Sequence, residues 1–276
     1  MRSFPQKIGL LQIKIIIMAG FLFHDIIFGP IRSRRLGLSL GINLLPLHKK
    51  HCSFNCIYCE CGWTPVKAET ESCLPSREIV SQFLEIKLKE LAKEDHLPDA
   101  LTFAGNGEPT MHPDFAGIVS DTINLRNQYS PGSKVSVLTN SSMLSDQKVF
   151  EALLSIDNNI CKLDAGSEKV FKLMNKPVHS IVFSEIIENL KRFNGKVTIQ
   201  SMFLRGLFKN EIIDNTPREE VGLWLNHLKS INPELVMIYP IARETPAHHL
   251  EIIPPKELEE IAEKVREMGL AVKVYQ

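Results

Sequence analysis

Short apolar runs alternate with amphipathic segments along most of the chain, and this alternation predicts the fold class. Runs that have the length of buried strands recur at regular spacing between residues 38 and 274. They are Leu38–Leu45, Ala100–Ala104, Val135–Leu138, Ile160–Leu163, Val197–Met202, Leu235–Tyr239 and Ala271–Val274. Strands separated by helices at this spacing are typical of βαβ units and a parallel sheet. The pattern predicts one α/β domain, and periodicity alone leaves a doubly wound sheet and a (β/α) barrel both open.

Helix boundaries are marked by capping residues between these runs. Ser76 and Ser145 each precede a segment with apolar residues at helical spacing, so each is expected to cap a helix. The run Thr216–Glu219 combines a capping box with proline at the first helical position. Pro255 is expected to open the last helix and Gly269 to close it. In either architecture, functional groups should lie at the carboxyl ends of the strands.

The amino terminus carries an apolar run, residues 8–23, that a glutamine and a lysine interrupt. The run is shorter than the roughly 20 residues that span a bilayer, and no small-residue cleavage site follows it. We therefore expect a cytoplasmic protein without a membrane segment. Residues 1–27 are expected to be a leader, either disordered or an upstream-start artefact with Met18 as the alternative start. The domain itself is expected to occupy residues 28–276.

Charge and cysteine content narrow the class of protein. The 32 Lys and Arg residues balance 32 Asp and Glu residues, which argues against a uniformly basic protein that coats nucleic acid. Between residues 28 and 67, however, six basic residues face one acidic residue. Six cysteines are too few for a disulfide scaffold at 276 residues. Three of the six crowd into residues 52–59, within the basic stretch. This clustering points to a metal site in a reducing compartment.

The crowded cysteines have the spacing C-x3-C-x2-C directly after the first predicted strand. They are Cys52, Cys56 and Cys59. Three thiolates at this spacing can hold an iron–sulfur cluster and leave one iron open to a substrate. A zinc site normally needs four protein ligands, and the fourth could come from His48, His51 or Cys61. The spacing favours iron–sulfur and leaves zinc as the alternative.

This motif, with the aromatic Tyr58 before its last cysteine, resembles the signature of the radical S-adenosylmethionine (radical SAM) superfamily. The resemblance implies a partial (β/α)6 TIM-like barrel with the motif in the loop after its first strand. It also implies two cofactors, a [4Fe–4S] cluster on the three cysteines and S-adenosylmethionine (SAM). Reductive cleavage of SAM then yields a 5′-deoxyadenosyl radical, and the electron comes from a reductant such as flavodoxin or ferredoxin.

Polar motifs after the later strands match the order of the same superfamily. The run Gly105-Asn106-Gly107-Glu108 resembles its glycine-rich motif, whose backbone receives the methionine amino group of SAM. The resemblance implies further SAM-binding positions at Tyr58 and on the third to sixth strands. Those on the strands are Thr139 and Asn140, Lys162 and Asp164, Gln200 and Ser201, and Tyr239.

A narrower resemblance, to the wyosine-synthase-related group of radical SAM proteins, covers most of the chain from residue 28 onward. It rests on four segments, Phe28–Gly37, Gly41–Pro46, Phe203–Gly206 and Ile238–Arg243. The best-known members of that group modify a guanosine in tRNA and carry a second cluster on cysteines upstream of the motif. Residues 1–51 here contain no cysteine.

The resemblance makes an RNA nucleoside or a small anionic metabolite the expected substrate. Arg32, Arg34 and Arg35 are the expected phosphate-binding residues, because guanidinium groups bind phosphate through paired hydrogen bonds. Two alternatives stay open, a radical activase that acts on a partner protein and a zinc-stabilised nucleic-acid-binding module. An auxiliary cluster on Cys61, Cys73 and Cys161 is a further alternative.

Overall fold

The protein was analysed as a computed structural model that describes residues 20–65 and 74–276. Its strands form two sheets. In chain order they are β1 (Ile27–Ser33), β2 (Gly37–Ile42), β3 (Ala100–Phe103), β4 (Lys134–Thr139), β5 (Asn158–Lys162), β6 (Thr198–Met202), β7 (Leu204–Phe208), β8 (Glu211–Asp214), β9 (Leu235–Tyr239), β10 (Leu250–Ile252) and β11 (Val272–Val274). All seven apolar runs read from the sequence are strands.

The larger sheet has eight strands in the order β1-β2-β3-β4-β5-β6-β9-β11. Every neighbouring pair is parallel except β1 and β2, which are antiparallel. No ladder joins β1 to β11 within the described ranges, so the sheet is an open, partial barrel and not a closed one. This confirms the α/β class and the partial-barrel architecture.

Helices cover the outside of the sheet. They are α1 (Arg77–Lys93), α2 (Phe115–Tyr129), α3 (Gln147–Leu154), α4 (Glu168–Asn175), α5 (Phe183–Lys191), α6 (Arg218–Ile231) and α7 (Pro255–Glu267). In α1, the buried residues Val80, Leu84, Leu88 and Leu91 recur at helical spacing and face the sheet. The strands between the helix layer and the barrel interior are buried on both faces, as all four residues of β3 illustrate.

The helix ends confirm some of the predicted caps and correct others. Ser76 caps α1 by accepting from Ile79 N, and α7 begins at Pro255 as expected. The cap of α3 is Asp146 and not Ser145, because the aspartate carboxylate accepts from two backbone amides. The predicted capping box at Thr216 does not form. The Thr216 hydroxyl donates to Asp214 (2.6 Å), and α6 begins only at Arg218.

The pattern of apolar positions did not predict β1 or the smaller sheet, whose order is β10-β7-β8. In β1, a glycine, a proline and an arginine interrupt the apolar residues, so its sequence does not resemble a buried strand. Strands β7 and β8 form a short hairpin beyond the carboxyl end of β6, and most of its residues are only partly buried. Such half-exposed strands lack a continuous apolar run.

The chain before β1 packs against the barrel. Phe21 N donates to Glu60 O (2.7 Å), and Phe23 stacks on Phe28 with ring centroids 3.7 Å apart. The predicted leader thus includes residues 20–26, which touch the loop that follows β2. Residues 1–19, with Met18, lie outside the described residues. Within the described ranges, no helix has the length and apolarity to cross a membrane.

Candidate active site

Four cysteine thiols line one cavity of about 200 Å³ at the carboxyl end of the barrel strands. Three are the predicted ligands Cys52, Cys56 and Cys59, and the fourth is Cys61. The loop that carries them leaves β2 and crosses the mouth of the barrel. Two cysteines of the sequence are left to account for. Cys161 is buried in β5, and Cys73 lies outside the described residues.

Apolar side chains and backbone hydrogen bonds anchor the cysteine loop. Phe54 and Ile57 are fully buried between the cysteines. Asn55 N donates to Asn175 O (3.0 Å), and Ile57 N donates to Met174 O (2.9 Å) at the end of α4. Because fixed residues alternate with the cysteines, the thiols are held at the cavity wall before any cofactor binds.

Hydrogen-bond donors point at two of the thiols. Asn140 Nδ2 lies 3.5 Å from Cys52 Sγ, and Phe54 N lies 3.5 Å from the same sulfur. Asn175 Nδ2 lies 3.5 Å from Cys56 Sγ. Such N–H···S contacts stabilise thiolate over thiol and influence the potential of a cluster bound there.

The glycine-rich loop after β3 lies directly against the cysteine loop. His51 N donates to Asn106 O (2.9 Å), and Glu108 N donates to His51 O (3.0 Å). A Cβ atom on Gly107 would lie 1.8 Å from His51 O, and Gly107 has a φ of +144°. Only glycine permits both this approach and this backbone conformation. The sequence motif thus has a structural reason, which is close contact between the two loops.

Glu108 joins the loop after β3 to the turn after β4. Its Oε1 accepts from Thr110 Oγ1 (2.5 Å) and Thr139 Oγ1 (2.8 Å), and its Oε2 accepts from Asn140 N (2.6 Å). Burial raises the pKa of Glu108, while these hydrogen bonds oppose the rise. The carboxylate therefore fixes the relative position of two loops that both line the cavity.

Lys162, at the end of β5, points into the cavity within a buried polar network. Its Nζ lies 2.9 Å from Tyr58 Oη and 3.4 Å from Asp164 Oδ2, and Tyr58 Oη donates to Asp164. Asn175 Nδ2 also donates to Asp164 Oδ2 (2.9 Å). Burial acts to lower the pKa of Lys162, but Asp164 and neighbouring groups raise it well above the usual range. Lys162 is therefore a fixed cation.

The structure brings most of the sequence-predicted site residues to this cavity, but not all of them. The predicted residues that line it are Cys52, Cys56, Tyr58, Cys59, Gly105, Gly107, Glu108, Thr139, Asn140, Lys162 and Gln200. Asp164 contributes through its hydrogen bonds to Tyr58 and Lys162. Three further predicted residues, Asn106, Ser201 and Tyr239, are not part of its wall.

Those three residues have other partners. Asn106 Nδ2 donates to Phe23 O and to Pro46 O, both at 2.9 Å, and its Oδ1 accepts from Phe23 N. Ser201 Oγ donates to Leu163 O, and this hydrogen bond is buried in the core. The ring of Tyr239 lies 5.3 Å from the guanidinium carbon of Arg35.

The three predicted phosphate-binding arginines lie away from the cysteines. Arg34 and Arg35 form the turn before β2, at the amino edge of the sheet, whereas the thiols lie at the carboxyl edge. Arg34 donates to the backbone of Gln276, and Arg35 Nη1 donates to Gln200 Oε1 (2.7 Å). Arg32 is exposed on β1. None of the three arginines lines the cavity, and only Arg35 contacts its wall, through Gln200.

Two residues of the site were missed by the sequence analysis. Lys50 lines the cavity with a side chain only 4% exposed, and Asn175 contacts Cys56, Tyr58 and Asp164. The sequence could have indicated Lys50, since this basic residue lies two positions before the first cysteine of the motif. Asn175 lies 119 residues after Cys56, and no local pattern in the sequence connects the two.

The donor set fits a cluster better than a single metal ion. Across residues 20–65 and 74–276, no three His, Cys, Asp or Glu side chains are close enough together to hold one ion. Thiolates are the ligands of iron–sulfur clusters, and the three motif cysteines all line the cavity. The buried cation Lys50 also fits an anionic group. Burial acts to lower the pKa of Lys50, but its interactions with Cys59, Cys52 and Cys56 outweigh burial and raise it.

The thiols themselves differ in acidity. The hydrogen bond from Cys61 and the charge of Lys50 lower the pKa of Cys59 to about 5. Burial raises the pKa of Cys52 to about 12. Cys59 is therefore more acidic than Cys52.

A larger groove of about 1430 Å³ lies outside the barrel, between α4 and α6. Its wall contains none of the cysteines and none of the residues predicted to bind SAM. The chemistry-bearing residues thus converge on the smaller cavity, and we take that cavity as the candidate active site.

Comparison with protein families agrees with this geometry. A family model described as "Radical SAM superfamily" matches residues 47–215, which is more than half of the chain and includes the cysteine loop. The chain belongs to the radical SAM superfamily. Members of this superfamily use a [4Fe–4S] cluster and SAM, so these are the cofactors of the chain, and it is an iron–sulfur enzyme in the general sense.

Relatives by sequence include two proteins named UPF0026, which share 31% identity with the chain. The protein of Methanocaldococcus jannaschii aligns over 84% of this chain and 67% of its own length, and that of Helicobacter pylori strain J99 over 79% and 67%. A protein of Brachyspira hyodysenteriae named GTPase Obg is 29% identical over 90% of this chain, which is 34% of that relative. The chain thus spans about one third of that relative and about two thirds of the others.

Solved radical SAM structures share the fold. A radical SAM methyltransferase from Sphaerobacter thermophilus has a TM-score of 0.63 at 13% identity, covering 86% of this chain and 65% of its own. A structure of TYW1 with a lysine-pyruvate adduct has a TM-score of 0.61 at 15% identity, covering 83% and 73%. At this identity the likeness concerns the fold alone.

Proposed function

We propose that Cys52, Cys56 and Cys59 hold the [4Fe–4S] cluster and that SAM binds beside it in the cavity at the carboxyl end of the barrel. The substrate is an RNA nucleoside or a small anionic metabolite. The observation that carries this proposal is the meeting of the three thiols, the glycine-rich loop and Lys162 in one cavity. An electron from a protein such as flavodoxin or ferredoxin would have to enter at this mouth.

When bound, the reduced cluster supplies one electron that cleaves SAM into methionine and a 5′-deoxyadenosyl radical. The chain's own residues position SAM and shield the cavity from solvent. Gly105 and Gly107 leave backbone groups uncovered at the cavity wall, since neither has a side chain. Glu108 holds that loop against Asn140, and the pair Lys162–Asp164 presents a fixed ammonium to a bound carboxylate or hydroxyl. Cys56 is buried, and Cys52 and Cys59 are partly buried, which limits the access of water and oxygen to them.

The preference for an RNA nucleoside or anionic metabolite is supported by two observations. Four sequence segments resemble the wyosine-synthase-related group, and the cavity wall carries two cations, the buried Lys50 and the partly buried Lys162. The three arginines do not contribute to this argument, because none of them lines the cavity. The substrate would enter from the carboxyl edge.

The test is anaerobic reconstitution with iron and sulfide, followed by an assay for 5′-deoxyadenosine from SAM after reduction. We expect a brown, oxygen-sensitive protein that forms deoxyadenosine. The variant C52A/C56A/C59A should bind no cluster and form none. SAM cleavage that survives in this variant would contradict the proposal, as would a colourless protein whose metal is zinc.

The substrate class needs a second measurement, because SAM cleavage alone does not identify it. Deuterated RNA or deuterated small anionic metabolites should transfer deuterium into 5′-deoxyadenosine. Transfer from a deuterated partner protein, with none from RNA or metabolites, would favour the activase alternative instead.

A further inference from the structure

Lys50 is a buried cation that has no carboxylate partner in the described part of the chain. Its side chain is 4% exposed, and its Nζ donates to the backbone carbonyl of Gly62 (3.0 Å). The other lysine at the cavity differs, because Lys162 lies 3.4 Å from Asp164. Burial of an unpaired charge costs several kcal/mol, so a buried ammonium normally has an anion beside it.

Among the described residues, one carboxylate lines the cavity, and it does not pair with Lys50. Glu108 also lines the cavity, but its two oxygens accept hydrogen bonds from Thr110, Thr139 and Asn140. The remaining acidic groups on the wall are thiols, and three of them are the proposed cluster ligands. The charge that balances Lys50 is therefore that of the thiolates and whatever they hold.

A [4Fe–4S] cluster on three thiolates carries net negative charge, and that charge grows by one when the cluster accepts an electron. A nearby fixed cation stabilises the more negative, reduced form and so raises the reduction potential. Because the cation is buried, solvent ions screen its effect only weakly.

We propose that Lys50 is a positioning residue that supplies the counter-charge of the cluster and raises its reduction potential. This inference rests on the proposed function, since it takes the three cysteines as cluster ligands. The role concerns the cluster itself and holds when SAM is absent. Lys50 acts through the cluster and need not touch the substrate.

The experiment is a redox titration of reconstituted, SAM-free protein, followed by electron paramagnetic resonance of the reduced cluster. Lys50→Met and Lys50→Gln remove the charge, and Lys50→Arg keeps it. Lys49→Met is the matched control. It removes the same charge from the neighbouring residue, whose side chain does not line the cavity. Iron and sulfide are counted in every variant.

We expect the neutral Lys50 variants to shift the reduction equilibrium at least tenfold toward the oxidised cluster, which is about 59 mV for one electron. Lys50→Arg should stay near the wild type, and Lys49→Met should shift less than the neutral Lys50 variants. If the neutral variants hold no cluster while Lys50→Arg does, the counter-charge role is also supported.

Three outcomes overturn the inference. One is a neutral variant whose potential equals that of Lys49→Met. Another is loss of the cluster in Lys50→Arg as well as in the neutral variants, because shape and not charge would then be the requirement. The third is an unchanged potential with weaker SAM binding. Failure of the wild type to bind any cluster would instead contradict the proposed function.

Discussion

Cys61 shares the cavity with the three proposed cluster ligands, yet the motif assigns it no iron. Its Sγ lies 3.5 Å from Gly105 O, and its thiol lowers the pKa of Cys59. A residue in this position can change the acidity of a ligand cysteine without binding iron itself. The distinction can be tested at the level of single residues.

We predict that Cys56→Ala abolishes cluster binding and that Cys61→Ala does not. The first variant removes one of three proposed ligands, whereas the second leaves all three in place. The measurement is the iron and sulfide content after anaerobic reconstitution, with the visible absorption spectrum. Equal loss in both variants would show that Cys61 is needed for the cluster, against the three-cysteine assignment.

Gly107 offers a second test at this scale. We predict that Gly107→Ala lowers the free energy of unfolding by more than 2 kcal/mol, because a Cβ would lie 1.8 Å from His51 O and the φ is +144°. Gly132→Ala is the control, since nothing lies within 4 Å of its Cβ position. Urea unfolding of both variants gives the comparison. An effect at Gly107 no larger than at Gly132 would contradict the close packing of the two loops.

At the scale of secondary structure, the local sequence decides where an element lies better than where it ends. Ser145 and Asp146 are adjacent and both are good caps, and only the backbone conformation selects the aspartate. Thr216 is drawn away from its helix by Asp214, which lies on β8. Cap choice depends on such competing partners, so element order was predicted more reliably than element boundaries.

Gly222, inside α6, allows a test of helix propensity at an uncrowded position. Nothing lies within 4 Å of a Cβ placed on Gly222, so Gly222→Ala should raise the free energy of unfolding by about 0.5–1 kcal/mol through helix propensity. Gly166→Ala is the matched opposite, since its Cβ would lie 2.3 Å from Glu220 O. Denaturant unfolding should show a gain for the first and a loss for the second. A loss in both would contradict the open surroundings of Gly222.

Asp157 connects three elements, and its effect should depend on pH. Its Oδ2 accepts from Val135 N and from Arg126 Nη1, both at 2.8 Å. Burial acts to raise the pKa of Asp157, but these two bonds and Lys134 lower it below its usual 3.8. A lowered carboxyl pKa stabilises the fold above the unfolded-state pKa, and this stability is lost as the pH falls through the folded-state pKa.

We therefore predict that Asp157→Asn costs about 1 kcal/mol at pH 7, because a charge-assisted hydrogen bond is lost at a partly exposed site. The difference from the wild type should shrink below pH 3.8. Urea unfolding of both proteins between pH 7 and pH 3 measures this. A difference that stays constant over that range would show that the charge of Asp157 is not responsible.

At the scale of the whole molecule, Asn106 links the segment before β1 to the glycine-rich loop. Its fully buried side chain makes three hydrogen bonds to Phe23 and Pro46. We predict that Asn106→Ala lowers the free energy of unfolding by about 2 kcal/mol or more, because buried backbone groups lose their partners. Asn124→Ala, on the exposed face of α2, should change it by less than about 0.5 kcal/mol.

Denaturant unfolding with hydrogen exchange at Phe23 measures this effect. Faster exchange at Phe23 in Asn106→Ala is the expected accompaniment. Unchanged stability together with weaker SAM binding would restore Asn106 to the SAM site instead.

The sequence by itself determined the order of the seven parallel strands of the larger sheet, the α/β class and the cysteine motif. These depend on local periodicity and spacing, which a folded environment does not alter. The resemblance to radical SAM motifs also placed Tyr58, Glu108 and Lys162 in the candidate site, in agreement with the rule that parallel strands bring their carboxyl ends to one edge. That rule needs only the element order.

The tertiary structure alone decided which side chains on that edge face the cavity. Asn175 reaches Cys56 from far along the chain, and Asn106 turns away to hold Phe23. Arg35 lies at the opposite edge because it precedes its strand, although in sequence it is close to the cysteines. The burial of Lys50 was also decided in three dimensions. Each of these depends on packing between residues distant in sequence, and no local pattern encodes it.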